Sequence, residues 1–250
     1  MTKKNMQIEN EATLSNKRIA LLGGSSGIGL AVAQQVVQQG AHPVIASSNT
    51  ERVQKAVASV GGKAEGHTLD LSDEISIERF FRKLGAFDHL VYTAGDMLQL
   101  KELGAMDLKK ARQAFELRFW SALAAVKYAT PHIRQGGSIV LTTGIAGIRP
   151  HKTWTVAAAG CGAIVSLTRA LAVELAPIRV NAVSPGVVRT NLWQNMQDGD
   201  REAMYEGLGK SLLVGRVGEA QEIARAYLFL MQEGYSTGQV VVVDGGGLLV

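Results

Sequence analysis

The residues with the clearest chemical meaning are the glycines of a turn at positions 23–29, which reads Gly-Gly-Ser-Ser-Gly-Ile-Gly. An apolar run at 18–22 precedes the turn and a helical pattern follows it, so the turn joins a buried strand to a helix N-terminus. Gly23, Gly27 and Gly29 let the backbone turn sharply and approach a ligand, because they carry no Cβ. The free N–H groups and positive dipole end of the helix favour a phosphate. The turn therefore predicts a phosphate-binding site; an ordinary glycine-containing turn is the alternative, and no Walker lysine supports an ATPase.

Composition and charge limit the classes of protein to which this chain can belong. Of its 250 residues 46% are hydrophobic, and its net charge of +4 is scattered rather than clustered as in nucleic-acid-binding proteins. Cys161 is the only cysteine, so no internal disulfide forms, and no His/Cys/Asp cluster has metal-ligand spacing. The polar residues 1–16 lack the apolar centre of a secretion signal and are predicted to form a flexible tail. Without an apolar run of about 18 residues, the chain is predicted to be cytoplasmic, with a small-molecule substrate and neither nucleic acid nor membrane as partner.

Strand and helix patterns alternate along the rest of the chain. Apolar runs predict strands at residues 18–22, 41–46, 66–71, 88–93, 137–143, 178–183 and 239–243. Further helices are predicted at 51–60, 73–84, 107–130, 153–176, 200–209 and 219–233. Ser72 is the predicted cap of the helix at 73–84. The alternation predicts an α/β fold in one domain, residues 17–250, with a doubly wound parallel sheet and helices on both faces. A mobile flap over the substrate is predicted near residues 190–214.

The loops that end the predicted strands hold most of the glycine and polar residues that could bind a ligand. In doubly wound sheets, ligands bind beyond the carboxyl ends of the strands, where the strand order reverses. These loops are therefore predicted to face one cleft: 23–29, 47–49, Asp70, 94–95, 143–144 and 185–190.

Five stretches of the chain resemble the short-chain dehydrogenase/reductase family, and the resemblance extends over essentially the whole sequence. They are the glycine turn at 23–29, Asp70-Leu71, Thr93-Ala94-Gly95, the segment from Ser184-Pro185-Gly186 to Thr190, and the segment from Thr237-Gly238 to Asp244-Gly245-Gly246. The resemblance implies a Rossmann-like dinucleotide-binding fold with seven strands in the order 3-2-1-4-5-6-7. It also implies a homo-oligomer, a tetramer or a dimer.

The resemblance implies a nicotinamide dinucleotide as cofactor and assigns loop residues to its parts. The pyrophosphate and adenosine ribose would lie against Gly23, Ser25, Ser26, Gly27, Ile28 and Gly29, and the adenine against Asp70 and Leu71. A ribose would lie along Thr93, Ala94 and Gly95, and the nicotinamide along Pro185, Gly186, Val188 and Thr190. For Asp70, capping of the next turn is the alternative role.

The end of the second predicted strand indicates which dinucleotide binds. An acidic residue about 20 positions after the glycine turn would bind both ribose hydroxyls of NAD and repel a 2′-phosphate. Here that region holds Ser47, Ser48 and Asn49, and Arg52 follows one helical step later. Hydroxyl, amide and guanidinium groups suit a phosphate, and Glu51 is expected to point along the helix. NADP(H) is therefore predicted over NAD(H), although a plain helix cap at these positions is compatible with the same ligand.

The residues that carry out proton transfer in this family are replaced here. By the resemblance, the helix segment at 168–177 fixes the alignment, which places Ala157 at the tyrosine position, Cys161 at the lysine, Gly144 at the serine and Arg118 at the asparagine. No Tyr-x-x-x-Lys occurs anywhere in the chain. Alanine cannot donate a proton and a thiol is no permanent cation, so the usual general acid–base mechanism is not expected. Cys161 has no base beside it in sequence and is interpreted as a packing residue.

The chain thus combines the family's cofactor-binding motifs with replaced proton-transfer residues, and three interpretations of this combination are open. The first is an atypical NADPH-dependent reductase whose candidate catalytic residues are Arg118, Thr143, His151 and Trp154; an iminium-type substrate, which needs hydride but little acid help, would suit it. For Arg118 an interface salt bridge is the alternative, for His151 a solvated loop position, and for Trp154 core packing. The second is a non-redox isomerase or cyclase that uses the bound dinucleotide as a fixed wall. The third is a pseudoenzyme that senses NADPH or binds a partner.

Overall fold

A computed structural model describes residues 13–95 and 100–250 and has a seven-stranded parallel sheet at its centre. The strands are β1 (Arg18–Leu22), β2 (His42–Ser47), β3 (Glu65–Thr68), β4 (Phe87–Tyr92), β5 (Ile133–Thr142), β6 (Arg179–Pro185), β7 (Val188–Arg189), β8 (Gly218–Glu219) and β9 (Val240–Val243). The order across the large sheet is β3-β2-β1-β4-β5-β6-β9, while β7 and β8 form a separate parallel pair. The predicted doubly wound fold is confirmed, and β9 is the seventh strand of the predicted order.

Eight α-helices lie in the described part of the chain and cover both faces of this sheet. They are α1 (Gly27–Gln38), α2 (Thr50–Val60), α3 (Glu74–Leu84), α4 (Leu108–Phe115), α5 (Ser121–Ala129), α6 (Thr155–Glu174), α7 (Asp198–Ser211) and α8 (Ala220–Gln232). On one face α3, α5 and α6 pack against the strands through residues such as Phe81, Val126 and Ile164. On the other face α1, α2 and α8 do so, with Val32 and Ile223. The strands read as apolar runs because both of their faces are covered.

The register of the central strands brings the functional loops to one edge. Leu22, the last residue of β1, pairs with Ala46 of β2 and with Tyr92 of β4. The three strands therefore end at the same level, and the strand order reverses between β1 and β4. A cleft beyond that edge is the expected ligand site of such a sheet.

Three local predictions are corrected by the structure. The helix predicted at 107–130 consists of α4 and α5 joined by a π-helical turn, Glu116–Trp120. Strand β3 ends at Thr68, so Asp70 and Leu71 belong to the following loop. Helix α3 is capped by Asp73, whose carboxylate accepts a hydrogen bond from the Ile75 N–H at 3.1 Å. Ser72 does not cap it because its hydroxyl donates to Asp70 Oδ1 at 2.7 Å.

The predicted flexible tail at 1–16 falls partly outside the described residues, which begin at 13. Its last residues pack onto the domain: the Leu14 side chain is 1% exposed, and the Asn16 N–H donates to the Gly40 carbonyl at 2.9 Å. Leu14 and Asn16 therefore contact the rest of the domain, and the flexibility predicted for the tail stays a prediction.

Within the described residues, α6 is the one helix whose length and apolar composition would suffice to cross a membrane. The core helices of soluble proteins meet the same criterion. In this fold α6 packs Ile164, Leu171 and Ala172 into the core beside the sheet.

Candidate active site

A cavity of about 770 Å³ lies beyond the carboxyl ends of the strands. Most of the residues predicted to bind the cofactor line it: Gly23, Ser26, Gly27, Ile28, Gly29, Ser47, Ser48, Arg52, Asp70, Leu71, Thr93, Ala94, Gly95, Pro185, Gly186, Val188 and Thr190. Ser25 and Asn49 are not among the lining residues. Of the candidate catalytic residues, Arg118, Thr143 and Trp154 line the cavity and His151 does not. The fold thus brings loops from six strands to one cavity.

In the turn between β1 and α1, the positions of Gly23 and Gly29 have no room for a side chain. Gly23 has φ +89°, and a Cβ placed there would lie 2.5 Å from the backbone nitrogen of Ala94. A Cβ at Gly29 would overlap the Gly23 carbonyl oxygen and the Thr93 hydroxyl. Ser26 caps α1 without a side-chain hydrogen bond, so its hydroxyl does not satisfy the backbone N–H groups of the first turn, and residues 26–29 of that turn line the cavity. The turn forms a cradle with the charge preference of an anion site.

The loops after β2 and β3 form the other end of the cavity. Asn49 Oδ1 accepts the Arg52 N–H at 2.8 Å, which makes Asn49 the cap of α2 and accounts for its position outside the cavity. Ser47, Ser48 and Arg52 line the cavity beside it. Asp70 Oδ1 accepts from the Ser72 N–H at 2.9 Å, so Asp70 stabilises its own turn as well as contributing to the cavity lining.

Arg118 lies in the π-helical turn between α4 and α5, with its guanidinium against Gly95. A Cβ placed at Gly95 would be 3.0 Å from Nη1 and 3.1 Å from Cζ of Arg118. The turn is anchored by Tyr92, whose hydroxyl donates to the Leu117 carbonyl at 2.6 Å. Burial raises the pKa of the Cys161 thiol, and the positive charge of Arg118 opposes that rise. Arg118 is therefore close enough to Cys161, which also lines the cavity, for its positive charge to lower the pKa of that thiol.

The cavity wall formed by the loop after β5 and by α6 includes several small residues beside Ile145 and Trp154. A Cβ placed at Gly144 would be 3.3 Å from Cys161 Sγ, and Ala157 is buried in the same wall. The Thr143 hydroxyl donates to the Cys161 carbonyl at 2.8 Å, so its proton is already bonded to the protein. Among the described residues that line the cavity, the ionisable ones are Arg52, Asp70, Glu116, Arg118 and Cys161.

Glu116 and Gln113 line the cavity beside Arg118 and were not predicted from the sequence. Residues two apart do not share a face of a regular α-helix, so spacing alone gave no reason to place Glu116 with Arg118. Both residues belong to the π-helical turn, and such turns occur frequently at functional sites. Nothing in the sequence pattern indicated that the helix departs from α geometry here.

The predicted flap consists of a 3₁₀ turn, Asn191–Trp193, followed by α7. Trp193, Tyr205 and Val217 form a small core of their own. Arg189 Nη1 bonds Glu202 at 2.7 Å, and its guanidinium lies 4.4 Å from the centre of the Tyr205 ring.

Beyond α7, the chain packs on the segment that follows β9. A Cβ placed at Gly246 would lie 2.7 Å from Leu213 Cδ1. The same segment meets the loop after β5, because Arg149 Nη1 donates to the Gly247 carbonyl at 2.6 Å. The glycine segment therefore contacts both the chain that follows α7 and the loop after β5.

Comparison with known proteins identifies the class that this fold and cavity define. Residues 23–247 match the family model described as "Enoyl-(Acyl carrier protein) reductase". The chain is 36% identical over 254 residues to the short-chain dehydrogenase/reductase ATR9 of Stachybotrys chlorohalonatus, covering 95% of this chain and 99% of that protein. The chain belongs to the short-chain dehydrogenase/reductase family.

Two solved structures show the same likeness in three dimensions. A small-chain dehydrogenase in complex with NADPH is 40% identical with a TM-score of 0.84, covering 94% of this chain and 100% of that one. The MalC reductase/Diels-Alderase of Malbranchea aurantiaca is 29% identical with a TM-score of 0.89, covering 96% of this chain and 99% of that one. The resemblance stated from sequence motifs is confirmed at the level of the family.

Proposed function

We propose that this protein is an NADP(H)-dependent oxidoreductase with a non-standard active site, which transfers hydride to a small organic carbonyl or imine-like substrate. One observation carries the proposal. The glycine cradle and the residues Gly144, Ala157, Cys161 and Arg118 line the same cavity, and by the resemblance to the family these four occupy the positions of its proton-handling residues. The cytoplasmic location, the homo-oligomeric state and the mobility of the flap stay predictions from the sequence.

The residues present fit a nicotinamide dinucleotide. A Cβ would fill the cradle at Gly23 and Gly29, and the helix N-terminus beside it suits a pyrophosphate. Ser47, Ser48 and Arg52 offer hydroxyl and guanidinium donors to a 2′-phosphate. When bound, the dinucleotide supplies the hydride. The NADPH complex of a relative that is 40% identical supports the same assignment.

The chain's own residues favour a substrate that needs little acid catalysis. Cys161 stays a neutral thiol, because burial raises its pKa, and Ala157 has no proton to donate. Arg118 keeps its charge at all working pH values and would hold an oxygen that gains negative charge, or an anionic group of the substrate. An iminium-type substrate, which already carries a positive charge, needs no proton donor at all.

Arg52→Ala should weaken NADPH binding about tenfold and leave NADH binding nearly unchanged, because a charge-assisted hydrogen bond to the 2′-phosphate is lost. Fluorescence titration of both nucleotides measures this. Lys55→Ala is the matched control, since Lys55 lies one turn further along α2, paired with Glu51 at 2.6 Å and outside the cavity. Tighter binding of NADH than NADPH by the unmodified protein would contradict the assignment.

A non-redox reaction on the same scaffold is the second candidate, with the bound dinucleotide serving as a fixed wall for an isomerisation or cyclisation. Its support is the combination of a cavity wall without an evident proton donor and the likeness to a protein described as both reductase and Diels-Alderase. A pseudoenzyme that only senses NADPH is the third.

A screen of carbonyl and imine compounds separates the three candidates. We expect NADPH to be consumed in equal amount to the reduced product, followed by absorbance at the nicotinamide band and by mass spectrometry of the product. Turnover without loss of NADPH would favour the isomerase or cyclase instead. NADPH binding with no turnover of any compound would favour the sensor, and rapid oxidation of ordinary alcohols would contradict the proposed active site.

A further inference from the structure

Two of the three tryptophans line the cavity, and they come from different loops. Trp154 precedes α6 in the connection that follows β5, and Trp193 lies in the 3₁₀ turn that begins the flap. Small and aliphatic residues line the cavity with them, namely Gly144, Ile145, Ala146, Ala157, Val187 and Leu192. Trp120 is 53% exposed and does not line the cavity.

The backbone that carries Trp154 is held in an unusual conformation. Thr153 has φ +76°, a left-handed value that a β-branched residue rarely adopts. The Thr153 carbonyl accepts the Lys101 N–H at 3.1 Å, and Lys152 pairs with Glu102 at 2.7 Å. These contacts attach the loop after β5 to the segment near residue 101, which follows β4. Strain that the surrounding contacts maintain in this way is a recurrent feature of ligand sites.

The two indole rings are each fixed by a neighbouring group. The His151 ring packs edge-on against Trp154, with centroids 4.8 Å apart and planes at 67°. The Ala158 N–H donates to the Trp154 carbonyl at 2.7 Å, and Trp154 is the N-cap residue of α6. Trp193 is 9% exposed, and its Nε1 donates to the Val188 carbonyl at 3.2 Å. With that polar atom satisfied, the remaining exposed area of Trp193, which is small because the residue packs in the core with Tyr205 and Val217, contributes to the cavity lining.

We propose that Trp154 and Trp193 are specificity-determining residues that recognise a flat aromatic or heteroaromatic part of the substrate. The proposal rests on the proposed function and names its substrate class: an aromatic ring system that carries the carbonyl or imine carbon. Aromatic rings gain more interaction energy from offset or edge-to-face contact with an indole than saturated rings of similar size do. Thr153 is a positioning residue in this scheme, because its backbone conformation determines the position of the Trp154 backbone and hence of its side chain.

A binding measurement without turnover tests the proposal. The probes are 2-acetylnaphthalene and cyclohexyl methyl ketone, each titrated into the full chain by calorimetry with and without saturating NADP⁺, the oxidised cofactor, which cannot reduce a ketone. We expect 2-acetylnaphthalene to bind about five- to tenfold more tightly than 2-acetyldecalin, a saturated control ketone of similar size. This ratio of affinities is the margin that the variants below are expected to change or keep. Trp154→Leu should reduce that margin to about twofold or less.

Matched variants keep this result interpretable. Trp120→Leu makes the same change outside the cavity and should leave the margin intact, whereas Trp193→Leu should reduce it if the variant folds. Thr153→Gly, which adopts a positive φ without strain, should retain the margin. Equal affinities for the naphthalene and decalin ketones, or an unchanged margin in Trp154→Leu, would overturn the proposal. Because no turnover is measured, this outcome is independent of whether the protein reduces any ketone.

Discussion

Gly23→Ala should abolish measurable NADPH binding and lower the melting temperature. Gly23 has φ +89°, and an alanine Cβ would lie 2.5 Å from the Ala94 nitrogen and 2.7 Å from the Ala94 Cα. The backbone conformation alone costs alanine about 1–3 kcal/mol, and the collision adds to it. Since 1 kcal/mol shifts Tm by about 2–4 °C in a chain of this size, a fall of about 5 °C or more is expected. The dissociation constant of NADPH should rise at least about 100-fold, because the turn after β1 must shift and the cradle that it forms is distorted.

The comparison variant makes the same chemical change where there is space. Gly104 lies in a short 3₁₀ turn with nothing within 4 Å of a Cβ placed on it. Gly104→Ala should keep wild-type affinity and stability. Thermal melting and nucleotide titration of both proteins decide the matter, and Gly29→Ala provides a second test of the cradle. Wild-type NADPH affinity in Gly23→Ala would mean that the nucleotide does not bind at this turn.

Arg118→Ala should lower kcat about 100- to 1,000-fold on any carbonyl substrate found in the NADPH-consumption screen, the usual loss when one donor to a developing negative charge is removed. The NADPH dissociation constant should change much less, because the glycine cradle lies elsewhere in the cavity. Arg118→Lys should recover part of the rate, since it keeps the charge but loses the planar fork of donors. Steady-state kinetics with separate determination of kcat and KM measures both effects.

Arg112→Ala is the control for this substitution. Arg112 lies in the last turn of α4, is exposed and does not line the cavity, so its loss should leave kcat unchanged. If Arg118→Ala retains full activity, Arg118 has no catalytic role and its contact with Gly95 is structural. A loss of thermal stability equal in the two Arg118 variants, with no loss of rate, would lead to the same conclusion.

The fold could be predicted from the sequence because its elements repeat one physical pattern. Buried parallel strands read as short apolar runs, as in β4, where all six residues are buried. Glycine at 23 and 29 indicated a close backbone approach, and the structure shows what each glycine approaches. The meeting of the loops in one cavity follows from the parallel arrangement itself, since the carboxyl ends of the strands share an edge.

The local geometry of the site could not be predicted, because it depends on competition between similar groups. Ser72 and Asp73 are both good helix caps, and only the structure shows that Ser72 is already bonded to Asp70. The π-helical turn that carries Arg118 has no distinct sequence signal, and nothing in the sequence singled out Glu116 as a cavity residue. The left-handed conformation of Thr153 was equally unexpected, because a β-branched residue disfavours it.

The glycine segment after β9 offers a way to observe the cleft from a distance. Gly246 packs against Leu213, and Gly247 accepts a hydrogen bond from Arg149, so we expect movement of the chain after α7 or of the loop after β5 to shift the residues that follow β9. Leu249 is 80% exposed and stands two positions further on. A fluorophore attached there through Leu249→Cys would report ligand entry optically, with Cys161→Ser preventing a second label.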